Sequence, residues 1–189
     1  MEANGNNAVR YRIEPRQSQF VVQAFAEGML SVFGHNPSMA IRGFGGDARC
    51  VPGTLEQASV LMLVQSDSLA VIGQVSEKDR LEIERMMRAD VLEIARYPEI
   101  VFMSTSVSAS PVAAGQFEAR IAGSLSLHGV TREHRTNARV TVDGNSLRAR
   151  GEFGLRQSDY NIKPVSVMGG TLKVKDDLKF SFDIHAIAE

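Results

Sequence analysis

The 189-residue chain has no tryptophan, a single cysteine and only six prolines. One cysteine, Cys50, rules out an internal disulfide and any Cys-based zinc cluster. It reads as a small core residue rather than a nucleophile. Net charge is also scarce: 21 Lys and Arg stand against 22 Asp and Glu, and the arginines are spread along the chain. Without a basic field, a nucleic-acid partner is not expected. There is no long apolar run, so neither a membrane span nor a stable membrane insertion is predicted. The opening "MEANGNNAVR" lacks a basic stretch followed by an apolar one, so no signal peptide is read and a soluble, cytoplasmic protein is expected. A chain trimmed of a leader would read the same.

Period-2 alternation dominates what is present. Phe20, Val22, Ala24 and Ala26 share one face, as do Val60, Met62 and Val64, and then Ile100 and Phe102. "QFEARIAGSLSL" sets Phe117, Ala119, Ile121, Leu125 and Leu127 against Glu118, Arg120, Ser124 and Ser126. Ala138, Val140 and Val142 follow, then Leu147, Ala149, Gly151 and Phe153, and finally Leu178, Phe180, Phe182, Ile184 and Ala186. One apolar and one polar face per strand marks an antiparallel sheet with a wet side. "VDGNS" is a hairpin signal, and "GFGGDA" at 43–48 reads as a bend or bulge at a barrel corner. One segment departs from the alternation. Ile83, Met86, Met87, Val91 and Ile94 approach helical spacing, Ser76 and Asp79 resemble a capping box, and Tyr97-Pro98 ends the run. This predicts one α-helix near residues 77–94. The fold expected is all-β, an antiparallel barrel of about eight strands that closes to hide its edges, with a two-sheet sandwich as the competing arrangement. Residues 1–10 read as a flexible tail and 11–189 as a single domain.

Four histidines carry the chemistry worth weighing. His128 and His134 flank a tight turn in "GSLSLHGVTREHR". By parity His128 falls on the outer face and His134 on the inner one, so the pair is a poor shared metal site and none is predicted. His128 reads as a turn residue, His35 as a loop residue and His185 as surface. His134 is a titratable group at inner parity with Arg132 beside it, a candidate handle for a ligand's polar end. No phosphate loop, G-x-S-x-G or His-pair motif occurs, and no catalytic constellation is found. The chain is therefore read as a binding protein rather than an enzyme, with no cofactor. Nine Phe and eight Met, several at inner parity, suit either a filled core or a smooth lining for an aliphatic ligand.

"YPEIVFMSTSV", "GSLSLHGVTREHR", "GEFGLRQSDYNIKP" and "VKDDLKFSFDIHA", in that order, resemble the YceI-like (polyisoprenoid-binding-protein-like) family across about residues 11–188. The resemblance implies a lipocalin-like barrel, a tunnel-like apolar cavity for an isoprenoid-type or similar amphiphile, and a homodimer. The predicted cavity lining is Phe20, Val22, Met62, Phe102, Phe117, Ile121, Leu125, Phe153, Phe180 and Phe182. The predicted contacts to a phosphate or carboxylate head are His134, Arg132, Arg156 and Lys163. The family's usual export signal is absent, and Pro15 stands near the start of the first strand where the family opens differently. Two alternatives stay open: a filled-core, stress-related or interaction protein without ligand, and an enzyme on a small amphiphile using His134 as base.

Overall fold

A computed structural model describes residues 8–28, 36–167 and 172–189. His35 and most of the N-terminal tail lie outside these residues. The strands are β1 (Val9–Ile13), β2 (Gln19–Gly28), β3 (Ser38–Ile41), β4 (Phe44–Cys50), β5 (Ser59–Gln65), β6 (Leu69–Ile72), β7 (Glu99–Ala113), β8 (Gln116–Leu127), β9 (Val130–Asp143), β10 (Ser146–Arg156), β11 (Ser166–Val167) and β12 (Leu172–Ala188). All of the pairings are antiparallel. The ring β1-β4-β5-β7-β8-β9-β10-β12 closes through Tyr11↔Ala188 and Ile13↔Ala186. That makes a closed eight-strand barrel.

Three staves of the barrel are each broken in two. β1 gives way to β2 at Pro15, which cannot donate to a ladder. β3 gives way to β4 at Arg42 and Gly43, and β5 to β6 at a short 3₁₀ turn, Ser66–Ser68. The latter two breaks are tied together. Arg42 N donates to Ser68 O at 3.2 Å, and Gln65 N donates to Gly43 O at 2.8 Å. A Cβ at Gly43 would lie 2.7 Å from the Ser68 side chain, so only glycine admits this approach. The expected barrel corner at "GFGGDA" is found here.

The breaks let the barrel flare towards one end. There β6 turns away from β7, and α1 (Glu77–Met86) fills the connection between them. Ser76 caps the helix: its hydroxyl accepts from Asp79 N at 3.1 Å and donates to the Asp79 carboxylate at 2.7 Å. A π-turn (Met87–Val91) continues the helix, so the helical run ends close to the predicted boundary. Glu84 reaches back from α1 and accepts from Val71 N at 3.0 Å, covering the edge of β6. No helix among the described residues is long and apolar enough to cross a membrane.

The opposite end is packed. Tyr11, Phe117, Cys50, Ala119, Ala138 and Ala186 are buried together there. The β4–β5 loop folds inward over them and buries Val51 and Leu55. Burial pushes the Cys50 thiol up to about 11, consistent with an inert core residue. On the outside, charges meet across strands. Arg148 grips Asp183 through two bonds of 2.7 and 2.6 Å, and Arg139 pairs with Glu118 and Lys179 with Glu152. The guanidinium holds the Asp183 carboxyl below its ordinary value. These pairs across strands offset several of the spread arginines.

Candidate functional site: an apolar hollow and its polar wall

The alternating apolar residues do not meet in the middle of the barrel. They surround a hollow of about 830 Å³ that extends from Ile83 and Met86 of α1 to Cys50 and Leu55. The volume falls in the range of small-molecule pockets. Of the residues predicted to line it, Phe20, Val22, Met62, Phe102, Ile121, Leu125, Phe153, Phe180 and Phe182 do so. Phe117 does not: it is 2% exposed and belongs to the packed end. Met86 and Met87, placed by the sequence on the helix's apolar face, also line it, and Ile83 and Val91 join them from the same helical run. Their near-helical spacing was the available signal.

An aromatic cluster shapes the middle of the wall. Phe153 and Phe180 stack at 4.7 Å with rings nearly parallel, and Phe20 leans against both at 6.4 and 6.1 Å. His134 stands beside them, its ring edge-on to Phe153 at 4.7 Å. Its strand partner is Gly123 on β8, whose missing side chain leaves room taken by the Phe102 ring. Burial holds the His134 imidazole below the ordinary histidine value, and its Nε2 is buried without a hydrogen-bond partner. A neutral imidazole is thus the principal hydrogen-bonding group on an otherwise apolar middle wall.

The other predicted head-group contacts sit differently. Arg132 and Arg156 border a cleft on the outside of the barrel that His134 also borders, and Arg156 is held there by Asp176 at 3.2 Å. Lys163 is exposed and borders neither cavity. Three of the four predicted contacts, His134, Arg132 and Arg156, therefore share one cleft, and Lys163 does not. Among the described residues no group hydrogen-bonds His134 Nε2.

His128 corrects the parity argument. It is a turn residue as expected, with φ of 51° followed by Gly129 at 76°, the geometry of a type I′ hairpin. It is nevertheless buried, not turned to solvent. Nδ1 lies 3.3 Å from Tyr160 O, Tyr97 packs on the ring at 4.5 Å, and Nε2 comes within 2.7 Å of the Glu93 carboxylate. That carboxylate lies off the N–H direction, so the contact is an ion pair when the ring is protonated rather than an aligned hydrogen bond. His128 ties the β8–β9 turn to the segments that close the helix end. His185 is half-buried near Asp183.

Residues 11–186 match the YceI-like domain. The chain belongs to the YceI-like family. It is similar to UPF0312 proteins of Pseudomonas savastanoi pv. phaseolicola and Pseudomonas syringae pv. syringae, each 34% identical over 100 residues. Those residues are 50% of this chain and 48% of each relative, so the chain spans about half the length of the curated relatives it matches. Among solved structures it resembles a polyisoprenoid binding domain from Saccharophagus degradans, with TM-score 0.70, 13% identity, and coverage of 96% of this chain and 99% of that one. It also resembles BcnA of Burkholderia cenocepacia, with TM-score 0.68, 15% identity, and coverage of 92% and 99%. At such identities the structural likeness concerns the fold of this YceI-like barrel.

Proposed function

We propose that this YceI-like protein binds a long-chain amphiphile, isoprenoid-type or fatty-acid-like, and carries or sequesters it inside the barrel. The observation behind the reading is the long hollow with an almost wholly apolar wall. A filled-core interaction protein has no use for such a space. Burying an alkyl chain there gains about 0.8 kcal/mol per CH₂ before ordering costs. The polyisoprenoid binding of the Saccharophagus degradans domain supports the same ligand class. The proposal includes a homodimer, which sedimentation of the purified protein tests.

The deciding experiment is native mass spectrometry of detergent-free protein, followed by lipid extraction of the same sample. A discrete added mass that releases a long-chain lipid on denaturation is expected. A bare mass that persists after soaking with prenols, fatty acids and prenyl phosphates would overturn the reading. Phe180→Glu, which sets a charge on the wall, is expected to abolish retention in a folded protein.

A further inference from the structure

β9 has two very different edges. Towards β8 it is paired from Gln116↔Thr141 to Leu127↔Val130, almost its whole length. Towards β10 the ladder runs only from Ser146↔Asp143 to Arg150↔Arg139, although both strands continue. The ladder stops where Gly151 begins. A Cβ there would lie 2.4 Å from Asn137 O and 2.5 Å from the Phe182 ring, so a side chain has no place. Beyond this point β10 follows β12 as far as Arg156↔Asp177, β9 follows β8, and the barrel wall is split.

A cleft of about 660 Å³ occupies the split. His134, Leu155 and Leu178 border both this cleft and the inner hollow, so the two spaces share one thin wall. We propose that the split is a lateral port for the long-chain ligand, and that the ligand's polar end rests there with an uncharged oxygen, a hydroxyl or a carbonyl, hydrogen-bonded to His134 Nε2. The proposal rests on the container reading above and adds where the head lies and what chemistry it has.

Three observations carry it. Nε2 is a buried polar atom with no partner in a wall of Phe and Leu, and a bound oxygen would satisfy it. The imidazole donates from one tautomer and accepts from the other, which suits a carbonyl or a hydroxyl. Charge at the cleft is balanced towards the acidic side: Arg132 and Arg156 face Glu133, Asp159 and Asp177, and Asp176 already holds Arg156. No surplus of positive charge is left for a phosphate. This departs from the anionic head expected from the sequence. Gly154 borders the cleft with no side chain, and a Cβ there would meet nothing nearer than Leu178 O at 3.8 Å. A larger residue therefore fits at the lip and narrows the port.

The test uses three chain-matched probes: farnesene, farnesol and farnesyl phosphate. Each displaces a fluorescent naphthylamine from the protein, and rates are followed by stopped flow. Farnesol is expected to bind more tightly than either of the others. His134→Phe should weaken farnesol roughly five- to tenfold relative to farnesene, the size of one lost hydrogen bond, with circular dichroism showing that the variant is folded. Gly154→Leu should slow both association and release of farnesol with little change in affinity. An unchanged farnesol-to-farnesene ratio in His134→Phe, tighter binding of farnesyl phosphate than farnesol, or wild-type rates in Gly154→Leu would each overturn the port. If farnesene itself fails to bind the wild type, the container reading falls first.

Discussion

Phe117 and Phe153 occupy the same face of one barrel and play opposite parts. Phe117 is 2% exposed and wedged among Tyr11, Ala138 and Val140. Phe153 is only partly buried, because it borders the hollow together with Phe180 and His134. The difference comes from what each strand faces across the interior. At the packed end Tyr11, Phe117 and Ala138 are buried in the core behind the hollow, whose floor there is made by Cys50, Leu55, Ala119 and Ala186. In the middle and at the helix end the staves flare at their breaks, and side chains from opposite walls no longer fill the gap. The core behind the floor of the hollow supplies stability, and the wall around it supplies space.

The largest test of that contrast is truncation. Phe117→Ala is expected to cost about 3–5 kcal/mol by chemical denaturation, as in a closed core. Phe153→Ala should cost clearly less, because part of its surface already faces the hollow. Equal costs would erase the distinction. Adding bulk tests it from the other side. Ala138→Leu at the packed end should destabilise by about 1–3 kcal/mol, whereas Ala149→Leu, on the cavity wall, should be accommodated and reduce lipid uptake.

Smaller effects sharpen the picture at the flared end. Ser76→Ala removes the N-cap of α1 and should cost about 1 kcal/mol. Thermal melts in the presence of a bound prenol would report whether this loosens the helix over the hollow. The pH response of His134 is the finest probe. Its folded pKa is depressed by burial, so above the unfolded value of 6.5 both states are neutral and it contributes no slope. As pH falls through 6.5 the unfolded chain takes up the proton first, and stability declines until the folded pKa is passed. His134→Phe should flatten that limb, measured as urea midpoints on either side of pH 6.5.

Much of the fold was legible because a half-wet sheet imposes a period of two. The faces assigned to Phe20 and Val22, to Met62 and to Phe180 and Phe182 all hold in the structure. The helix was legible through its cap at Ser76 and its change of period. Three features were not. In β7 a bulge between Ser104 and Ser106 changes parity, so Phe102 before it and Val107 after it both reach the hollow. His128 has outer parity, but the segments carrying Glu93 and Tyr160 lie far from it in sequence and fold over it. The parting of β9 from β10 leaves no mark in the alternation, since Phe153 and Leu155 keep their places on the inner face after the ladder has ended.

The sequence by itself determined which way strand side chains point wherever no bulge or turn intervenes. Strand and helix periods follow from backbone geometry and the local choice of apolar and polar residues, and they require no knowledge of partners. Whether an inward side chain meets another or meets empty space was decided only by the tertiary structure. That depends on how far opposite walls stand apart, which here is set by three broken staves, one helix and one unzipped seam acting together.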